Sequence, residues 1–128
     1  MMKHRLILTF CLALGLVSLA GPGCHHQNDG PPPPLPAEQI PAAFAAGFKD
    51  AKPEVKDLAD KFLKTLEAKD YPAAHQVSQE LQMLEAATKP QQLLAARAFL
   101  TVTSLLQAAQ AQGDENAAAE IKHYNSTK

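Results

Sequence analysis

Tryptophan is absent from this chain, and aromatic residues make up only 5% of it. Strands draw on aromatic and β-branched side chains, whereas alanine carries no helix cost, so an alanine-rich chain this poor in aromatics is expected to be all-α. Cysteine is nearly missing too. Only Cys11 and Cys24 occur, and if Cys11 leaves with a leading segment the rest has no second thiol for an internal disulfide. Clustered positive charge is also lacking. From Cys24 onward there are ten basic and thirteen acidic residues, with no Lys/Arg run, which argues against nucleic acid as a partner because phosphate binding needs a basic face. Nor is there an apolar run of the roughly 20 residues that a membrane-spanning helix needs.

What the chain has at its start is a basic n-region, Lys3, His4 and Arg5, followed by the uncharged stretch LILTFCLALGLVSLA. That is the form of a secretory signal, and the helix-breaking Gly21-Pro22-Gly23 separates it from everything downstream. Two processing routes follow from it. Ser18-Leu19-Ala20 has the small-x-small pattern of ordinary signal peptidase, which would release a soluble exported chain from Gly21. Alternatively, Leu19-Ala20-Gly21 ahead of Cys24 resembles a bacterial lipobox, though Pro22 and Gly23 stand in between. That resemblance implies diacylation of Cys24, a mature chain of 24 onward, and a membrane partner reached through the lipid. It also gives a reason for an otherwise solitary cysteine, because burying acyl CH₂ groups at about 0.8 kcal/mol each supplies an anchor. Pro31 to Pro36, with Leu35 its single other residue, then reads as a stiff extended spacer of about 19 Å at about 3.1 Å per residue.

Removing a signal at 1–23 and a linker at 24–36 leaves about 90 residues, enough for one small core, at 37–125, with 126–128 as a tail. From Ala37 the apolar spacing turns helical. Ile40, Phe44 and Phe48 recur at i+4. After Pro53 a second helix sets Val55, Leu58, Ala59, Phe62, Leu63 and Leu66 against a charged opposite face. Asp70 is a good N-cap for a third, with Tyr71, Ala74, Val77, Leu81 and Leu84 inward, and Thr88 with Gln91 has capping-box spacing for a fourth. The fourth carries no charge between Arg97 and Asp114 and is apolar on several faces, so it is expected at the centre, between the helices at 53–69 and 71–86, with Phe99 and Leu105 in the core. Gly113 closes it and Asp114 opens a fifth, with Ala118, Ile121 and Tyr124 inward. The expectation is four or five helices arranged as two antiparallel hairpins. Phe62, Tyr71, Phe99, Leu105 and Leu106 are the candidate core or interaction residues.

LEAKDYPAA and QAQGDENAA stand 44 residues apart and match at Asp70/Asp114, Ala73/Ala117 and Ala74/Ala118. The turn they form resembles that of tetratricopeptide repeats, whose usual period is about 34. That resemblance implies a protein-interaction scaffold. More broadly, the leading segment, proline linker and alanine-rich remainder resemble small exported bacterial lipoproteins with a helical domain, which implies a place in the cell envelope without implying an activity. Glu120 and His123 lie three apart on one helical face, but a di-iron bundle needs that pair twice with two further glutamates, so they read as a solvated last turn. No Ser/His/Asp order, glycine-rich phosphate loop or CxxC is present, and no metal or cofactor is expected. The reading is an envelope-tethered interaction module with an unidentified protein partner. A carrier of a small apolar ligand, using space around 98–113, is the alternative, and an enzyme comes third.

Overall fold

A computed structural model describes residues 30–128, and the leading segment with Cys24 lies outside them. A short 3-10 turn at Ala37–Gln39 leads into five α-helices: α1 (Ile40–Gly47), α2 (Pro53–Glu67), α3 (Tyr71–Met83), α4 (Lys89–Ala111) and α5 (Glu115–Ser126). No strand occurs among the described residues, and the fold is all-α with the helices packed on one another. The starts are set by local chemistry. Proline occupies the first turn of α1 through α4, where its missing N–H costs nothing, and Thr88 and Gln91 form a full reciprocal capping box on α4.

Both hairpin turns use one design. Lys69 (φ 57°) and Gly113 (φ 90°) are left-handed. In the first turn the Lys69 N–H donates to the Leu66 carbonyl and the Asp70 N–H to that of Thr65; in the second, Gly113 donates to Gln110 and Asp114 to Ala109. This is the Schellman pattern, which satisfies carbonyls that the ending helix leaves open. Asp70 then accepts from the Ala73 N–H, and Asp114 from those of Asn116 and Ala117, so each aspartate ends one helix and caps the next.

α2 packs along α3, while α4 takes α3, α5 and α1 as its principal neighbours, so the central helix lies beside 71–86 but not squarely between it and α2 as its uncharged stretch suggested. The main core joins Ile40, Phe44, Phe48, Val55, Ala59, Phe62, Val77 and Leu81 to Ala95, Ala98 and Val102. Phe44 bridges two rings, with its centroid 4.8 Å from those of both Phe48 and Phe62. Along α4 the buried positions are Gln91, Ala95, Ala98, Val102 and Leu106, with two alanines in the middle of the stripe. Small residues let α3 and α1 approach closely, which displaces the bulky neighbours to the flanks. Phe99 and Leu105 are accordingly half-buried, a correction to their expected place in the core, whereas Phe62 and Leu106 are fully buried and Tyr71 is half-buried. Gly47 is part of the same close approach: a Cβ there would stand 2.6 Å from Cδ2 of Leu94.

The packed structure also begins earlier than Ala37. Leu35, only 4% exposed, lies on α4, its N–H donating to the Arg97 carbonyl at 3.2 Å and its carbonyl accepting from the Thr101 hydroxyl. The Arg97 side chain donates in turn to the Pro33 carbonyl at 3.0 Å. The end of the proline run is therefore seated on the domain and is not free spacer.

Candidate functional site

Two features stand apart from ordinary packing, one a buried polar pair, the other an open groove with an apolar floor and charged sides. The buried one joins α3 to α5. His75 (1% exposed) and Glu120 (6% exposed) meet with Nδ1 to Oε1 at 2.8 Å, and the Gln76 side-chain amide donates to the other carboxylate oxygen at 2.6 Å. A carboxylate that accepts at both oxygens fixes the imidazole with its proton on Nδ1. Phe99 lies against the ring at 4.7 Å between centroids, and Tyr124 meets it edge-on at 4.9 Å and 88°. These flanking rings explain why Phe99 is half-buried without being a surface residue. Ser78, buried nearby, donates its hydroxyl to the His75 backbone carbonyl. The arrangement is a structural latch.

This revises the reading of α5. Its buried residues are Ala117 and Glu120; of the residues expected inward, Tyr124 faces His75 and Phe99, while Ala118 and Ile121 are half-buried at the side of that face. Glu120 does not share a solvated turn with His123; it turns inward to a histidine 45 residues away while His123 stays exposed. Among the described residues no group of three or more His, Cys, Asp or Glu side chains is placed to hold a metal ion. No described helix is long and apolar enough to cross a membrane.

The open feature is a groove where the start of α2 meets the end of α3. Antiparallel pairing brings Lys52, Glu54 and Leu58 opposite Glu80, Met83, Leu84, Glu85 and Ala86. Met83 is 68% exposed, the most exposed large apolar side chain among the described residues, while Leu58 and Leu84 are half-buried and form a floor continuous with the core. Methionine on a surface is adaptable because it is unbranched and polarisable, and it suits recognition of varied apolar partners. Met83 comes one residue before the apolar position Leu84 that the helical spacing favours, which is why periodicity alone passes over it. None of the candidate residues Phe62, Tyr71, Phe99, Leu105 and Leu106 lines this groove. Phe99 contributes to the latch, and Cys24 lies outside the described residues.

Comparison with protein-family models, with curated proteins and with solved structures finds no match to this chain.

Proposed function

We propose that this protein is an exported, lipid-anchored interaction module of the cell envelope, working by binding a protein partner rather than by turnover. The carrying observation is the groove at the α2–α3 end, where Met83 is left uncovered above the half-buried Leu58 and Leu84. A small domain gains nothing in stability from such an exposed side chain, and an apolar floor within a polar rim is the form of a docking surface. Anchorage is supported by the signal-like opening and by Cys24 directly after it.

Two measurements test the two halves of the proposal. Mass spectrometry of the mature N-terminus is expected to find acylated Cys24, and an unmodified chain starting at Gly21 overturns the anchor. A photo-cross-linking residue at position 83, expressed in the native host, is expected to give a discrete protein adduct that the same residue at the exposed position 61 does not. Absence of any adduct specific to position 83 overturns the interaction reading.

A further inference from the structure

The rim of the groove says what kind of partner its floor would take. Three of its lining residues are glutamates, Glu54 on α2 and Glu80 and Glu85 at the end of α3, against the single cation Lys52. All three carboxylates are exposed, and among the described residues none of them is engaged in an ion pair. With three carboxylates against one cation, the groove carries an excess of negative charge beside an apolar strip of Leu58, Met83 and Leu84. An acidic partner would meet repulsion there, and a neutral one would leave the rim unanswered. An amphipathic helix answers both parts together, since apolar residues spaced i, i+3 and i+4 can lie on the strip while cations flank them. The adaptable Met83 can follow the shape of whichever apolar anchor arrives.

We infer that the groove between α2 and α3 docks a basic amphipathic helix of another protein, through apolar anchors on Leu58, Met83 and Leu84 and cations facing Glu54, Glu80 and Glu85. The inference rests on the interaction reading and deepens it by naming the partner's chemistry. Charge of this kind mainly speeds encounter and excludes wrong partners, so binding to the groove depends on ionic strength.

The test uses the full chain in zwitterionic nanodiscs, with empty nanodiscs as the blank. The probe is a helical peptide of leucine and lysine of about 14 residues, about 21 Å long at 1.5 Å per residue, beside a leucine and glutamate peptide of equal length. The Leu/Lys peptide is expected to bind saturably, and to weaken at least tenfold in the double variant Glu80→Lys/Glu85→Lys and severalfold in Met83→Ser. The same reversal at Glu67 and Glu115, outside the groove, should leave affinity unchanged, which separates the rim from net charge. All substituted positions are exposed, so circular dichroism should show an intact fold in each variant. Equal affinity across these variants, equal binding of the Leu/Glu peptide, or binding of neither peptide overturns the inference. A cross-link from position 83 to a partner lacking a basic amphipathic helix also overturns it, while leaving the interaction reading standing.

Discussion

Removing the Glu120 carboxylate should release α5 before the rest of the domain unfolds. Leu106 and Ala117, which bury the seam of α5, lie outside the contiguous core around Phe44 and Phe62, so the latch is a large part of what holds this helix. In Glu120→Ala the His75 Nδ1–H loses its acceptor inside a pocket walled by Phe99 and Tyr124. Leaving a buried donor unpaired costs about 1–3 kcal/mol, and the lost hydrogen bonds to a carboxylate are worth about 1.5–3 kcal/mol each when buried. The Gln76 amide can turn to water, so only one of the two bonds incurs the full loss. About 3 kcal/mol is expected for the substitution, a large share of the roughly 5–10 kcal/mol that a domain of this size has in total. Replacing both partners, as in His75→Phe/Glu120→Leu, removes the polar groups together and should recover most of it, because a buried polar pair exchanged for apolar groups of similar size is often neutral. The assay is urea unfolding followed by circular dichroism for Glu120→Ala, for the singles His75→Phe and Glu120→Leu and for their double, with amide hydrogen exchange read over residues 115–126. Exchange in α5 should rise in Glu120→Ala while α2 and α3 stay protected, in the manner of local opening. If Glu120→Ala cost less than about 1 kcal/mol, or if the single effects simply added in the double variant, the latch would not be holding α5.

Other substitutions check the turns and the tether. Gly113→Ala puts a Cβ on a left-handed residue and should cost about 1 kcal/mol, whereas Lys69→Gly, at the equivalent place in the first turn, should gain about 0.5–1 kcal/mol, both read as shifts in the urea midpoint. Leu35→Ala should cost about 2 kcal/mol, the low end for a buried leucine at the edge of a core, and limited proteolysis should then cut residues 30–36 faster; an unchanged midpoint and cleavage rate would mean that the segment is not seated on α4.

The parts of the fold legible in the sequence are those whose cause lies within a few residues. Thr88 with Gln91, Asp70, Asp114, Gly113 and the first-turn prolines each satisfy or spare a backbone group of their own helix, so residue type and spacing suffice to place helix ends. The stripe of α2 was legible for a similar reason, since charge on the other face leaves it one orientation. α4 has no such contrast. With alanine, leucine and phenylalanine distributed around an uncharged helix, the inward face is chosen by how closely its neighbours can approach, and small residues win. The latch was hidden more completely. Glu120 and His123 are neighbours by spacing, but the partner of Glu120 is set by the crossing of α3 and α5, which no local pattern encodes. Leu35, the one apolar side chain in a run of prolines, was a visible signal that residue counting assigned to the spacer. The groove has no local signature, because its floor is made from residues of two helices and its most exposed member sits beside, not on, the helical stripe.

The likeness between the two hairpin turns is confined to their backbone and its capping. Their backbone hydrogen bonds coincide at an offset of 44 residues: Thr65, Leu66, Lys69 and Asp70 repeat as Ala109, Gln110, Gly113 and Asp114. Beyond the turn the correspondence stops. Ala74 is buried and Ala73 half-buried in α3, whereas in α5 Ala117 is buried and Ala118 half-buried, a shift of one residue, or about 100° around the helix axis. α3 is packed between α2 and α4, while α5 has α3 and α4 to one side, so the same turn delivers helices into different surroundings. A left-handed residue followed by an aspartate that closes one helix and caps the next is what any tight helical hairpin can use, whatever its neighbours. Local chemistry therefore accounts for the shared turn without a shared binding surface. A repeat scaffold would present equivalent residues of its two hairpins to the partner, but Glu80 and Met83 of the groove have Tyr124 and Thr127 as their counterparts, neither a carboxylate nor an exposed methionine. Under the proposed reading the recognition surface lies at the α2–α3 end, and substitutions at positions 124 and 127 should leave a partner bound there undisturbed.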